Sequence, residues 1–598
     1  MNETNLMEAK PFFSNRKSSF DQKIATTKKQ INLISTLRLV AIVAIIVLIY
    51  FFVQSASYLF LIGAFLVIAL FLLLANKHQD LIDLKFHVEA LSKINYNELQ
   101  VLDGELMHLD NGLEFVNTQH DYTYDLDVFG DNSIFQYINR SCTYSGKKRL
   151  ANILENPLQD IPSIIERQKV IQELSEKVEF RQEFQARGSI VNENPKENDA
   201  LINWLKEPAV FLNNKFVNVI RFLFPALLVL ALIAWLFDSR FMPLFAIMVV
   251  INWVVIILYG GKVNAIHLKT SKKNGVLKKY LKLLQVFSKE NFTNNTLVQM
   301  QSESKASIQE ISTIAKIVNR FDQRLNMLVG IVVNTFYLHD LHCVVALEKW
   351  REKNRNKIEG WLEVLFEIDA LSGLANYDFC NPTHIYPNIL EAGLSVQTEG
   401  LGHPLLVHQE CILNDVELGK SECMIILTGA NMSGKSTFLR SLGTNTVLAL
   451  IGAPVFASKF DCPLLNIMTS MRLTDSLKER ASYFYAELKR LQMIVEALEK
   501  GEKLLIILDE ILKGTNSDDK LTGSIALIEK FVGFNALGMI ATHDLELGKL
   551  EEELEGKVSN YCFESTIEND VLSFDYKLNK GVAKNKNATF LLKKMKIV

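Results

Sequence analysis

Between Arg38 and Lys77 the chain carries no charged residue. Leu39 to Val53 is wholly apolar or aromatic, Gln54-Ser55-Ala56-Ser57 interrupts, and Tyr58 to Ala75 is apolar again. A second region repeats the pattern. Phe222 to Phe237 is uncharged, Asp238-Ser239-Arg240 forms a turn, and Phe241 to Gly261 is uncharged. A helix in water keeps a polar face, whereas a membrane-spanning helix needs about 20 apolar residues. The pattern predicts two short-looped hairpins and four spanning helices. The competing reading is a pair of core hairpins buried in a soluble protein. The flanks favour insertion: Lys28, Lys29 and Arg38 precede the first hairpin and Lys77 follows it. Lys215 and Arg221 precede the second, and Lys262, Lys269, Lys272 and Lys273 follow it. The turns between the runs hold one basic residue, Arg240, so the positive-inside rule predicts both termini and the middle of the chain in the cytoplasm. Pro225 and Pro243 sit near helix ends, where membrane helices tolerate them. None of the four runs has an ionisable residue at mid-span, so they read as anchors and not as a transport path. Asn252 is the one clearly polar side chain within a run, suited to bonding a neighbouring helix. Met327 to Leu347 is also apolar but contains Asn334, His339, Asp340 and His342; it is expected to be a long buried helix of the soluble part.

With 598 residues the chain has room for several domains. Its 64 Lys+Arg against 67 Asp+Glu give a net charge of -3, which excludes a polybasic character and confines any nucleic-acid contact to a local patch. The seven cysteines form no C-x-x-C pair, pointing to a reducing compartment without a disulfide framework or zinc site. Residues 1–30 lack the charged start of a signal peptide, and the first apolar run comes too late for a cleaved leader. Asp80 to Leu106 has amphipathic helical period. Phe115 to Asp131 suggests short strands and turns, and Ser133 to Leu154 returns to helix. Ile161 to Leu205 is largely helical. Gly275 to Leu374 predicts long helices with a stripe at Val276, Tyr280, Leu283, Leu284 and Phe287, either a solvated coiled coil or a rigid lever. After Pro382 short β-runs give way to strand–loop–helix units. Buried strands are expected at Cys423–Thr428, Lys503–Leu508 and Ala536–Ala541, with a late β-stretch at Val571–Leu578. This alternation predicts an α/β domain with a largely parallel sheet.

Gly429-Ala430-Asn431-Met432-Ser433-Gly434-Lys435-Ser436 fits G-x-x-x-x-G-K-[ST], between an apolar strand and a helix. Loop amides and a helix N-terminus cradle phosphates; Lys435 suits the β- and γ-phosphates of ATP, and Ser436 suits Mg²⁺. The bland alternative is a chance Gly-rich turn. Leu504 to Leu508 ends in Asp509-Glu510. There Asp509 is placed to hold Mg²⁺ through water, and Glu510 to orient or deprotonate the attacking water. Such an acidic strand end is unremarked alone and gains meaning from its order after the loop. His543, in Ala541-Thr542-His543-Asp544, follows the third strand where a γ-phosphate contact belongs; a lone histidine is otherwise more often structural.

These residues resemble the MutS mismatch-repair family. Thr428 to Thr437, with Asn-Met inside the loop, is similar to that family's nucleotide loop. Asp509-Glu510-Ile511-Leu512-Lys513-Gly514-Thr515-Asn516-Ser517 is similar to its DEIGRGTST segment, and Ala541-Thr542-His543 to its ATH switch. Gly402-His403-Pro404 and Asn414-Asp415-Val416-Glu417-Leu418 resemble the stretches that open its ATPase domain. Thr143 to Leu150, Pro157-Leu158 and Ile368 to Ala375 resemble its core and lever helices. The resemblance implies an ABC-type ATP hydrolase that dimerises with ATP at the subunit interface, a signature serine reaching the partner's γ-phosphate. Ser482 stands at that position; an ordinary helix N-cap is the equal alternative. Site residues implied are Gly429 through Thr437, Ser482, Asp509, Glu510 and His543.

Departures from the family pattern matter as much. No N-terminal mismatch-reading domain is expected, and Phe12-Phe13-Ser14 does not replace its wedge. The second hairpin falls where the family inserts its DNA clamp. Cys411-Ile412 stands where an adenine-stacking aromatic is usual. The stretch ending at Val598 looks short for a dimerising segment and carries no nuclease-like extension. The expected order is a cytoplasmic segment (1–36), hairpin one (37–76), linker helices and short strands (77–132), core helices (133–214), hairpin two (215–262), lever helices (263–380) and ATPase domain (381–598). Function is expected to be that of a membrane-anchored dimeric clamp or switch acting on DNA in the inner membrane. The alternatives are a membrane ATPase driving a protein partner, or a transporter half, which the lack of a Leu-Ser-Gly-Gly-Gln signature disfavours.

Overall fold

The wholly apolar strands of the C-terminal region have to be covered on both faces, and parallel sheets with flanking helices do that. The computed structural model describes residues 6–191, 193, 203–205, 207–271, 273–406, 411–472, 483–513, 515–554, 556–568 and 571–584. Ten strands are described: β1 (Asn388–Leu390), β2 (Val396–Leu401), β3 (Asn414–Leu418), β4 (Met424–Gly429), β5 (Lys459–Pro463), β6 (Asn466–Ser470), β7 (Leu504–Asp509), β8 (Leu537–Thr542), β9 (Val558–Glu568) and β10 (Val571–Lys580). The main sheet has the order β10-β9-β4-β8-β7-β6 and is parallel except for the β9–β10 pair. A smaller sheet, β1-β5-β2-β3, takes the short β-runs after Pro382. Register aligns Thr428 with Thr542 and Asp509 with Ala541. The carboxyl ends of β4, β7 and β8 therefore stand side by side, where open α/β sheets bind ligands.

The other regular elements among the described residues are helices. The stripe Val276, Tyr280, Leu283, Leu284 and Phe287 is fully buried in the main core, so helix Asn274–Lys289 is packed and not a solvated coil. It lies against Asn295–Asp322 and Val178–Ser189. Helices Leu6–Ser55 and Tyr58–Leu102 pair with one another. Four helices, Ala9–Ser55, Tyr58–Leu102, Lys215–Phe237 and Ser239–Ser271, are long and apolar enough to cross a membrane.

Two sequence expectations are corrected and one, the helical period of Ser133 to Leu154, is refined. Phe115 to Asp131 forms turns and no strand; Leu113–Phe115 is a single 3-10 turn. Polar side chains meet its backbone donors instead of a ladder: Asn117 accepts from Gln119 N at 3.0 Å, and His120 Nδ1 from Tyr122 N and Thr123 N at 3.3 Å. Ser133 to Leu154 is two helices, Ile134–Ile138 and Tyr144–Glu155. Buried Asp369 breaks it by accepting from Cys142 N, Thr143 N and Thr143 Oγ1 at 3.0, 2.8 and 2.6 Å. Met327 to Leu347 is not one buried helix. It divides at Leu338, whose φ is +46°, into Met327–Tyr337 and His339–Asn354, bent by 82°. The first piece keeps its apolar side chains exposed.

One buried pair ties the first hairpin's long helix to the core. Glu98 receives Arg140 Nε at 2.6 Å, Arg140 Nη2 at 3.0 Å and Asn376 Nδ2 at 3.0 Å. Burial raises the Glu98 carboxyl, but Arg140 outweighs it and holds the group below its ordinary value. Its stabilisation is thus present at neutral pH and is lost as pH falls through the carboxylate range. Arg140→Met leaves a buried charge unpaired and is expected to destabilise by about 3–5 kcal/mol. A fall in melting temperature, partly recovered by adding Glu98→Gln, would register it; an unchanged melting temperature would refute it.

Candidate nucleotide-binding site

Where β4 ends, the backbone must leave the sheet and wrap inward before a helix begins. Gly429 has φ +152°, and a Cβ there would meet Ser433 Oγ at 2.8 Å and the Phe563 carbonyl at 2.9 Å. Gly434, at φ +103°, is the N-cap of helix Lys435–Leu450. The motif glycines are therefore the residues that let loop 429–436 close over a helix N-terminus with free amides.

The loop borders a cavity of about 560 Å³. Ala430, Asn431, Met432, Ser433, Gly434, Lys435, Ser436, Thr437, Asp509, Glu510 and His543 all line it. Gly429 lies at the strand end beneath. Ser482 lies outside the described residues. Lys435 Nζ donates to the carbonyls of Gly429 at 2.7 Å and Ala430 at 2.9 Å. Burial lowers its pKa, and nearby Asp509 and Glu510 partly offset that. Ser436 Oγ donates to Asp509 Oδ2 at 2.5 Å, which brings two hard oxygen donors together at the helix start, a set suited to Mg²⁺. Ser433 Oγ is buried without a hydrogen-bond partner.

Glu510 sits at φ +54° just past β7, its N–H bonded to the Ala541 carbonyl at 2.9 Å. That turn aims its carboxylate across the sheet end to His543 Nε2 at 2.7 Å and Lys513 Nζ at 3.3 Å. Burial pushes the Glu510 pKa up, yet Lys513 and His543 more than compensate and keep it below the usual carboxylate value. Burial and then Lys435 depress His543. At neutral pH the pair is a carboxylate accepting from a neutral imidazole.

The sequence shows neither Tyr576 at this site nor the role of Glu487, which it places only on the helix after Ser482. Tyr576 reaches the cavity from β10, over the loop; a Cβ on Gly434 would touch its ring at 3.1 Å. It stands at φ +53° in an irregularity between Phe574 and Leu578. Asn414 pins that irregularity, donating to the Tyr576 carbonyl at 3.1 Å and accepting from Leu578 N at 2.7 Å. Glu487, buried on helix Tyr483–Glu499, accepts from Leu512 N at 2.5 Å and Lys513 N at 3.2 Å, holding the turn that carries Glu510.

A family model for MutS domain V matches residues 425–594, which hold the whole cavity loop, Asp509, Glu510 and His543. One for MutS domain III matches residues 111–207. DNA mismatch repair protein MutS of Thermotoga petrophila is 33% identical over 224 residues, 37% of this chain and 28% of that protein. The same-named protein of Natronomonas pharaonis is 30% identical over 235 residues, 38% and 26% of the two chains. MutS protein homolog 4 of Mus musculus is 26% identical over 318 residues, 52% and 30%. The matches thus span less than a third of each of these relatives. Two MutS domains and this distant, partial identity place the chain in the MutS ATPase superfamily.

Proposed function

We propose that this chain is a membrane-anchored ATP hydrolase of the MutS type, a dimeric clamp or switch that closes on DNA when ATP is bound. The observation that carries the enzymatic part is the meeting of Lys435, the Ser436–Asp509 pair and the Glu510–His543 pair at the ends of three adjacent strands. The loop amides and the buried Ser433 hydroxyl receive phosphate oxygens. Lys435 gives its charge to the β- and γ-phosphates. Ser436 and Asp509 would hold Mg²⁺, which would supply positive charge to the transferring phosphoryl group. Glu510, kept ionised, orients the attacking water, and His543 fixes the carboxylate and faces the γ-phosphate. Tyr576 offers its ring to the adenine, the part for which Cys411 and Ile412 bring no aromatic. Glu487 links the helix that follows Ser482 to the turn bearing Glu510, so a partner engaging Ser482 acts on the water-orienting group.

The membrane reading gains support from helix register. Arg16 meets Glu179 and Gln182, Asn95 meets Gln182, and Phe20 and Leu91 pack with Ala186, so the first helix pair leaves Val178–Ser189 toward that helix's C-terminal end. Phe287 meets Phe180, and Leu283 lies by Gly188, so helix Asn274–Lys289 heads for the second hairpin the same way. From Phe20 to the first uncharged run is about 19 residues along one helix, some 30 Å. Both hairpins then meet one bilayer, with the ATPase domain in the cytoplasm. Single cysteines at Ser57→Cys and Ser239→Cys should react with an impermeant maleimide from the outer side of sealed vesicles. Labelling only from the cytoplasmic side would sink this topology.

DNA as the partner rests on the superfamily, and its test is binding to duplex, mismatched and branched DNA across a salt series. Binding that strengthens with ATP and weakens steeply with salt is expected. Salt-independent or absent binding would leave the second reading, a switch on a protein partner. That reading is favoured by the lever itself, whose far end carries the apolar helices Lys215–Phe237 and Met242–Ser271.

A further inference from the structure

The half-helix Met327–Tyr337 turns an unusual face outward. Met327 is 76% exposed, Leu328 78% and Val332 56%. An apolar face of this kind in water is a liability, and here it sits beside other apolar helices. Met327–Tyr337 packs on both Lys215–Phe237 and Met242–Ser271. Asn252, buried, donates from Nδ2 to the Thr335 carbonyl at 2.8 Å. Counted along its helix, Asn252 stands about 16 Å from Phe241 and about 14 Å from Gly261, near the middle of the charge-free run. That bond holds Thr335, near the end of the half-helix, against the charge-free run of the second hairpin.

Its polar groups are disposed as hydrocarbon demands. Asn334 Nδ2 bonds the Gly330 carbonyl at 3.0 Å, and Thr335 Oγ1 bonds that of Ile331 at 2.8 Å, so neither asks for water. Where the chain turns at Leu338, Asn334 Oδ1 accepts from Asp340 N at 2.9 Å and closes the break. Charged and aromatic groups gather just outside. Arg324 pairs with Asp340 at 3.2 Å, and His342 donates to the Arg221 carbonyl at 2.9 Å while stacking on Tyr337. Arg221 is the last charge before the hairpin's apolar run, so this cluster lies at headgroup level, where such residues settle. Eleven helical residues span about 16 Å, half of a hydrocarbon layer about 30 Å thick.

We propose that Met327–Tyr337 is a fifth membrane-embedded element. It enters the cytoplasmic half of the bilayer, contacts lipid through Leu328 and Val332, and returns at Leu338. The lever helices Asn295–Asp322 and His339–Asn354 are joined through it, so lever movement is imposed on a wedge within one leaflet. This rests on the membrane reading of the second hairpin. The test uses the full chain in phosphatidylethanolamine/phosphatidylglycerol vesicles, with a benzophenone side chain introduced at Leu328 or at Val332. Leu230, an exposed residue of the hairpin, and Val298, an exposed residue of the lever, serve as comparison positions. Lipid adducts by mass spectrometry are expected at 328, 332 and 230, and none at 298. Adducts at 230, with only protein cross-links or none at 328 and 332, would overturn the wedge and leave the hairpin in the membrane. Failure at 230 as well would remove the membrane reading and the wedge with it.

Discussion

Glu510→Gln is expected to bind ATP about as tightly as the unaltered chain and to hydrolyse it on the order of a hundredfold or more slowly. The amide keeps the size of the carboxylate and one acceptor oxygen toward His543, so the cavity is preserved. What it loses is the negative charge that Lys513 and His543 stabilise and that orients water at the γ-phosphate. Lys435→Ala should fail one step earlier. Its ammonium is the buried cation beneath the loop, and without it the phosphates meet amides alone, so tight ATP binding should disappear. Fluorescent-nucleotide titration and single-turnover hydrolysis separate the two variants. Near-normal turnover by Glu510→Gln would show that another group orients the water. Tight binding by Lys435→Ala would deny the loop its assigned role.

The grouping of the candidate site's residues was legible because each of its parts is written in local order. A loop fixed by Gly429 and Gly434, an acid pair at the end of an apolar strand and a histidine after the next strand are each a few residues long. A parallel sheet brings them together simply by aligning its strand ends. Tyr576 was not legible, because it reaches the loop only through the antiparallel β9–β10 pair and a bulge held by Asn414, more than 150 residues away in sequence. Glu487 was hidden likewise, its role being visible only once the amides of Leu512 and Lys513 face it. Among the helices, period identified the buried stripe of Asn274–Lys289 but not interruptions set by tertiary contacts. Asp369 breaks the helix before Thr143 from 226 residues away. Met327 to Leu347 has the composition of a buried helix, and hydropathy does not distinguish a protein core from a lipid one. Only the break at Leu338 and the bond from Asn252 separate the two.

Mixing a Lys435→Ala chain with a Ser482→Ala chain should restore hydrolysis that neither has alone. The expectation follows if ATP is held by the loop of one subunit and touched by the serine of the other, the arrangement that the superfamily reading attaches to Ser482. Each heterodimer then contains one site with both defects and one with neither. With random pairing about half the dimers are mixed, so activity should approach a quarter of the unaltered level. A mixture as inactive as its parents, while unaltered chains remain active in the same detergent, would remove the composite site. The anchors bear on how the mixture should be prepared. Two chains held in one bilayer have a far higher effective concentration than two in solution. Complementation should therefore be stronger in co-reconstituted vesicles than in dilute detergent, and the gap between the two should narrow as protein concentration in detergent rises.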